Sequence, residues 1–203
     1  MQRSAVIACR KILRPTLPTP VVHHHADIFL NHRGVDTKKG VVGLLYNHFS
    51  LLGLRPFLDN KNMKPGDNLF EKIEFAIRKC KLGIAVFSPT YCHSYFCLHE
   101  LSMIMECNKR VLPIFCDIKP SELRVHEDNV VNWRCSSKDL RRFRCAIEQA
   151  KNTVGLTFNS TDGNWSEFLN NASNAVMKNL VEIDGGEEII MRSIGQHKHI
   201  IDF

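Results

Sequence analysis

The sequence predicts an α/β fold: a flavodoxin-like, doubly wound sheet of five parallel strands with helices on both faces. Three observations carry this. Short apolar runs alternate along the chain with apolar stripes at helical spacing, the arrangement that right-handed crossovers produce. One run, Leu82 to Phe87, is continuously apolar, as a strand covered on both faces must be. The 203 residues are 44% hydrophobic and 24% charged, which suits one globular domain and excludes a wholly disordered or collagen-like chain.

The first strand is expected over residues 26–31, closed by the turn-forming Arg33 and Gly34. A helix follows over residues 41–52, with Val41, Leu44, Leu45, Phe49 and Leu52 on one face and Gly53 at its C-terminus. Residues 54–58 contain Pro56 and read as a short strand near a sheet edge. The polar stretch 59–68 reads as a loop, and Leu69, Ile73, Ala76, Ile77 and Cys80 then mark a second helix. After the Leu82 run, Ser88, Pro89 and Thr90 end the strand, and a helix with Cys97, Leu101, Ile104 and Met105 inward leads to a strand over residues 111–116. A Pro-containing loop, a basic helix near residues 138–151, a strand over residues 154–158 and a final amphipathic helix from Trp165 complete the pattern.

The domain division expected is a basic, disordered leader over residues 1–25, the folded domain over 26–183 and a flexible tail over 184–203. The formal charge of +6 is concentrated in the leader, where Arg3, Arg10, Lys11 and Arg14 face no acid and make a local +4. The remaining +2 is too small to argue for nucleic-acid binding. No apolar run is long enough for a transmembrane helix, so no membrane partner is expected. The eight cysteines lack paired CxxC spacing, and several fall in apolar runs, as reduced core thiols do. A cytoplasmic protein, with nuclear entry or organellar transit left open by the basic start, is the expectation.

Ligands of doubly wound sheets bind beyond the carboxyl ends of the strands. Here those are residues 31–37, 59–67, 88–100 and 117–124. No GxGxxG, no GxxxxGK[ST] and no GxSxG is present, so a dinucleotide fingerprint, a P-loop and a nucleophile elbow are all excluded. A phospho-receiver wants clustered acids after its first and third strands. This chain has Asn31-His32-Arg33 and Ser88-Pro89 there. Cys92, His93, Cys97 and His99 do not make a zinc site, because Cys97 and His99 lie about 200° apart on a helix. No metal and no cofactor are expected.

Asp27-Ile28-Phe29-Leu30-Asn31-His32-Arg33-Gly34-Val35-Asp36-Thr37 resembles the opening box of plant Toll/interleukin-1 receptor (TIR) domains, D-V-F-L-S-F-R-G-x-D-T. Ser88-Pro89-Thr90-Tyr91 and Ser94-Tyr95-Phe96-Cys97-Leu98-His99-Glu100-Leu101 resemble S-x-x-Y-x-x-S-x-W-C-L-x-E-L. Residues 111–115 and 120–124 resemble the segments V-x-P-I-F and D-P-S-x-V-R. The four boxes stand in the family's order and span residues 26 to 124. The resemblance is to a TIR-only plant protein, and it implies the TIR fold. It also implies an enzyme, an NAD nucleosidase or ADP-ribosyl cyclase that cleaves the nicotinamide–ribose bond of NAD or NADP. The products would be nicotinamide and ADP-ribose or cyclic ADP-ribose-type signals of plant immunity, made by a self-associated oligomer. NAD would be substrate, not cofactor.

The resemblance makes Glu100 the catalytic carboxylate. Independently of it, helical geometry sets Glu100 near a right angle from the centre of the inward stripe, at the border of core and solvent. A carboxylate there is partly desolvated yet reachable, the setting in which pKa values shift. An ordinary helix-flank Glu is the alternative reading of that position. The nucleotide-binding residues carried over are Arg33, Gly34, Val35, Asp36, Thr37, Lys38, Gly66, Asp67 and Phe96. Arg33 pairs a phosphate or makes a structural salt bridge. Asp36 and Thr37 line the pocket or N-cap the following helix. Lys38 replaces the usual Arg, and Phe96 replaces the usual Trp, either stacking on a base or packing in the core. Residues 61–67, with Lys64-Pro65-Gly66-Asp67, match the loop through which family members touch a neighbouring protomer. Two rivals stand beside this reading. One is a non-catalytic TIR–TIR adaptor, binding other TIR proteins. The other is a nucleic-acid-processing 2′,3′-cyclic nucleotide synthetase using the basic face of Arg141, Arg142, Arg144 and Lys151.

Overall fold

The computed structural model describes residues 26–37, 40–125 and 135–185. The strands are β1 (Ile28–His32), β2 (Pro56–Phe57), β3 (Leu82–Phe87), β4 (Arg110–Cys116) and β5 (Leu156–Phe158). The helices are α1 (Gly34–Thr37), α2 (Val41–Leu51), α3 (Asp59–Asn62), α4 (Leu69–Lys79), α5 (Tyr95–Glu106), α6 (Ser137–Lys151) and α7 (Trp165–Asp184). All four strand pairings are parallel, and the sheet order is β2-β1-β3-β4-β5. This is the doubly wound topology expected, with Pro56 on the edge strand where its missing N–H does least harm. The leader 1–25, Lys38 and tail residues 186–203 lie outside the described residues.

Alternation along each strand sorts the core into two layers. Ile28 and Leu30, with Leu82, Ile84, Val86, Leu112 and Ile114, face α2 and α7, meeting Val42, Leu45, Phe49, Ala172, Val176 and Leu180. The other face holds Ala85, Phe87 and Phe115 against Leu98, Leu101, Phe143 and Ile147 of α5 and α6, while Phe29 packs against Ile77 and Ile104. β3 is central, and all six of its residues are buried. At the amino end of the sheet, Asp27 ties three strands together. The Arg55 Nε and Nη2 donate to its two carboxylate oxygens at 2.8 and 2.6 Å, and the Lys81 and Leu82 amides donate to its carbonyl. Buried charge of this kind is tolerated because it is bidentately paired.

Four local expectations differ in detail. In α2 the buried stripe is Val41, Val42, Leu45 and Phe49, whereas Leu44 and Leu52 are more than a third exposed. Val42, not Leu44, lies in the buried cluster formed with the sheet and α7. Within the stretch read as a loop, α3 forms one turn, closed by the Leu58 amide donating to Asn62 Oδ1 at 2.7 Å. β5 begins at Leu156, leaving Val154 exposed beside Gly155. α7 continues through Asp184, which accepts from Lys81 Nζ at 2.6 Å. Gly53, at φ 76°, follows the C-cap of α2 in the left-handed conformation, and its N–H bonds the Ser50 carbonyl.

Gly155 admits no side chain. A Cβ there would stand 2.5 Å from the Pro113 carbonyl oxygen and 2.9 Å from its Cβ. We expect Gly155→Ala to lower stability by about 1–3 kcal/mol through separation of β4 and β5, read as a shift in the urea midpoint at unchanged slope.

Candidate active site

The crossover order makes β1 and β3 neighbours while their following segments depart in opposite directions, so a crevice opens beyond their carboxyl ends. β1 places Asn31 on the same face as Phe29, toward α5, and its register partner on β3 is the small Ala85. Ser94 caps α5 by accepting from the Cys97 amide, so the helix starts close to the sheet and carries Glu100 in its second turn.

Glu100 is partly buried, at the core–solvent border that helical spacing predicts. Asn31 Nδ2 donates to its Oε2 at 2.9 Å. Burial pushes the Glu100 carboxyl up to about 7. The Asn31 hydrogen bond works against that rise, and the charge of Asp59 on α3 adds to it. The Tyr91 hydroxyl, wholly buried, donates to Asn31 Oδ1 and lies 3.1 Å from the Cys97 carbonyl. The neighbouring thiols are poor nucleophiles: burial pushes Cys97 up to about 12 and Cys92 up to about 11. Glu100 is therefore the group of this cluster that changes charge near neutral pH. Asn31, Tyr91 and Asp59 fall within the segments beyond the strand ends, but the sequence gives none of them a role in the site. Tyr91 stood in the second sequence box, and the two-residue period of β1 would have aimed Asn31 at α5. Asp59 is separated from Glu100 by 41 positions, and no local pattern joins them.

The opening-box residues form a second cluster at the same end of the sheet. Arg33 Nε donates to Thr90 Oγ1 at 2.8 Å, and Asp36 accepts from Ser88 Oγ at 2.6 Å and from the Thr90 hydroxyl and amide. Burial alone would raise the Asp36 pKa. The Ser88 and Thr90 hydrogen bonds, with the Arg33 charge, outweigh it and hold the carboxyl below its ordinary value. Thr37 Oγ1 donates back to the Arg33 carbonyl at 3.0 Å. Gly34 begins α1, and Val35 is strongly exposed. Asp36 and Thr37 thus neither cap α2, whose N-cap is Gly40, nor touch Glu100. They line a cavity of about 450 Å³ together with Ser88, Cys116, Asp117 and Ser160, and Glu100 is not among its walls.

The remaining candidates lie on the loop before α4 and on α5. Gly66 takes φ 97°, and Asp67 accepts from the Lys64 amide at 3.0 Å, so the loop before α4 is closed on itself. Phe96 is not core: it is nearly half exposed, with its ring 5.9 Å from that of Phe70. On the basic face of α6, Arg142 is bonded to Glu106 and Asp139, and Lys151 to Glu148. Those acids neutralise much of the surface a polyanion would need. Among the described residues, no group of three or more His, Cys, Asp or Glu side chains is placed to hold a metal ion, and no helix is long and apolar enough to cross a membrane.

Comparison with known proteins matches the chain to one family. The TIR domain model matches residues 26–188. The chain is 46% identical over 158 residues to a Brachypodium distachyon protein named "Probable 2′ cyclic ADP-D-ribose synthase BdTIR", covering 78% of this chain and 70% of that protein. It is 33% identical over 141 residues to TMV resistance protein N of Nicotiana glutinosa, covering 64% of this chain and 12% of that one. With disease resistance protein RPV1 of Vitis rotundifolia, the identity is 32% over 153 residues, and the shares are 70% and 10%. The chain thus spans only about a tenth of those two resistance proteins. The solved TIR domains of the activated Roq1 resistosome, which directly recognizes the pathogen effector XopQ, superpose with a TM-score of 0.65 at 30% identity. That match covers 74% of this chain and 99% of the other.

The raised pKa of Glu100 has a stability consequence whose sign is fixed. The folded state binds the proton more tightly than the unfolded state, whose value is near 4.5. Stability is therefore greatest below that value, falls as pH rises toward about 7, and is flat beyond it. Ionised Glu100 costs on the order of 3 kcal/mol. Glu100→Gln should melt several degrees above the wild type at pH 8 and close to it at pH 5, by differential scanning calorimetry.

Proposed function

Because the chain belongs to the TIR-domain family, we propose that it is an NAD glycohydrolase. It would release nicotinamide and form ADP-ribose or a cyclic ADP-ribose-type signal in plant immunity, and it would act as a self-associated oligomer. The observation that supports this most is a single carboxylate, Glu100, half-sheltered at the switch point of the sheet and held by a buried amide.

Cleavage of this bond asks little of an acid. The glycosidic electron pair leaves with nicotinamide and neutralises the positive charge on its ring, so no proton need be supplied. Positive charge develops instead over C1′ and the ring oxygen of the ribose. An ionised carboxylate in a low-dielectric setting stabilises that charge and can accept hydrogen bonds from ribose hydroxyls. Asn31 engages Oε2, so Oε1 is the oxygen offered to substrate. Capture of the cation by water gives ADP-ribose and a proton, and capture by a nucleophile of the same nucleotide gives a cyclic product. The half-exposed ring of Phe96, four residues and about one helical turn before Glu100, supplies a stacking face on the same helix. Arg33 and the residues from Gly34 to Lys38, with Gly66 and Asp67, are proposed to shape the nucleotide pocket, Arg33 being the one suited to pair a phosphate.

The relatives support both the chemistry and the assembly. One is named a cyclic ADP-ribose synthase, and the TIR domains of similar fold belong to an activated resistosome. The exposed apolar side chains Leu44 and Leu51 of α2, Leu52 at its C-cap and Ile183 of α7 offer surface for contact between copies.

The test is turnover of NAD by purified protein over a range of concentrations, with nicotinamide and ADP-ribose products quantified. Wild type should turn over with a rate rising faster than linearly in protein, and Glu100→Ala should lose at least about a hundredfold. The rate should climb through pH 7 and level above it, since the ionised carboxylate is the active form. Equal traces from both proteins at every concentration would sink the enzyme reading and leave the adaptor.

A further inference from the structure

Asn31 is fully buried in the middle of a parallel sheet, where an amide side chain is costly unless each of its polar groups is engaged. Here all the partners are present, and their chemistry fixes which way the amide faces. The Cys97 carbonyl, 3.1 Å away, can only accept, so it must face Nδ2. The Tyr91 hydroxyl donates to Oδ1. Burial keeps Tyr91 protonated far above neutral pH, so it remains a donor throughout. With both ends of the amide held, the second Nδ2 proton points at Glu100 Oε2, 2.9 Å away. The amide cannot turn its oxygen toward the carboxylate without breaking two buried hydrogen bonds.

We propose that Asn31 is a positioning residue for Glu100: its amide, clamped between Tyr91 and the Cys97 carbonyl, fixes one carboxylate oxygen and favours the ionised form. This rests on Glu100 being the catalytic carboxylate of the glycohydrolase. A fixed N–H donor holds an ionised acceptor about twice as strongly as a neutral one. Other titratable groups around Glu100 do not take over that task. Asp59 from α3 opposes ionisation, and Tyr91 and Cys97 carry no charge in the working range. Asn31 also leaves the substrate side of the carboxylate to Oε1, which sets the face of the ribose that Glu100 can address.

The experiment pairs two variants with two readouts. Asn31→Leu keeps the volume and removes the bonds; Tyr91→Phe removes one end of the clamp and serves if the first variant does not fold. For each, NAD turnover is followed against pH, and the Glu100 carboxyl is titrated by carbon-13 NMR, assigned through Glu100→Gln. In Asn31→Leu the titration midpoint and the rising limb of the rate should both move up by about one pH unit. kcat at pH 7 should fall at least about tenfold with KM nearly unchanged, and alkaline pH should recover part of it. Tyr91→Phe should move both in the same direction by less. An unmoved midpoint in either folded variant overturns the proposal, because a merely structural residue would lower activity equally at all pH values. A wild type that titrates as described but turns over no NAD would instead count against the glycohydrolase. In that case the NMR shift alone decides whether Asn31 governs Glu100.

Discussion

The pairing of β1 with β3 is the constraint from which the candidate site follows. The two strands run parallel in register, Asn31 beside Ala85 and His32 beside Val86, although a whole helix–strand–helix excursion separates them in sequence. That pairing sets the sheet's switch point, where the chain turns outward to β2 after β1 and returns on the other side. It also makes the face of β1 that carries Asn31 the floor on which α5 rests. Ala85 contributes no bulk there, so the Tyr91 hydroxyl and the Asn31 amide reach one another beneath the helix. Had β1 slipped by one residue, the alternation would have sent Asn31 to the α2 side and an imidazole or leucine toward α5.

The site holds a carboxylate where the surroundings do not welcome it. A protein gains stability by leaving a glutamate in water or pairing it with a cation, as this chain does with Glu106 and Arg142 on the far side of the same helix. Glu100 instead has a neutral amide on one oxygen and a second acid, Asp59, nearby. The result is a group poised between two protonation states rather than locked in one. Destabilised acids of this sort are a common mark of function, because nothing in folding alone rewards them.

How much of this was legible in the sequence depended on the range of each interaction. The strands, the long helices and the border position of Glu100 followed from periodicity, since every residue involved lies within a few turns of its neighbours. Edge placement of β2 followed from Pro56. The turn at Asp59–Asn62 was hidden because it is built from polar residues and one side-chain hydrogen bond, with no apolar face to betray it. Spacing alone favours Leu44 over the buried Val42 in α2, because a helical wheel cannot tell which of two adjacent apolar flanks a sheet will cover. The Asp36 contacts with Ser88 and Thr90 escaped as well. They join segments 52 and 54 positions apart, and only the strand order brings these together.

Those Asp36 contacts bear on the thermodynamics of anything that enters the cavity beside them. Two surface segments that would otherwise fluctuate independently are already fastened to each other by a carboxylate, two hydroxyls and an amide. Their ordering entropy is lost during folding, not during association. A ligand settling against this rim meets a wall already in shape, so its affinity is not diminished by having to freeze the loops. Its association is accordingly expected to be fast, with little structural rearrangement, and its selectivity to come from the fixed spacing of these groups.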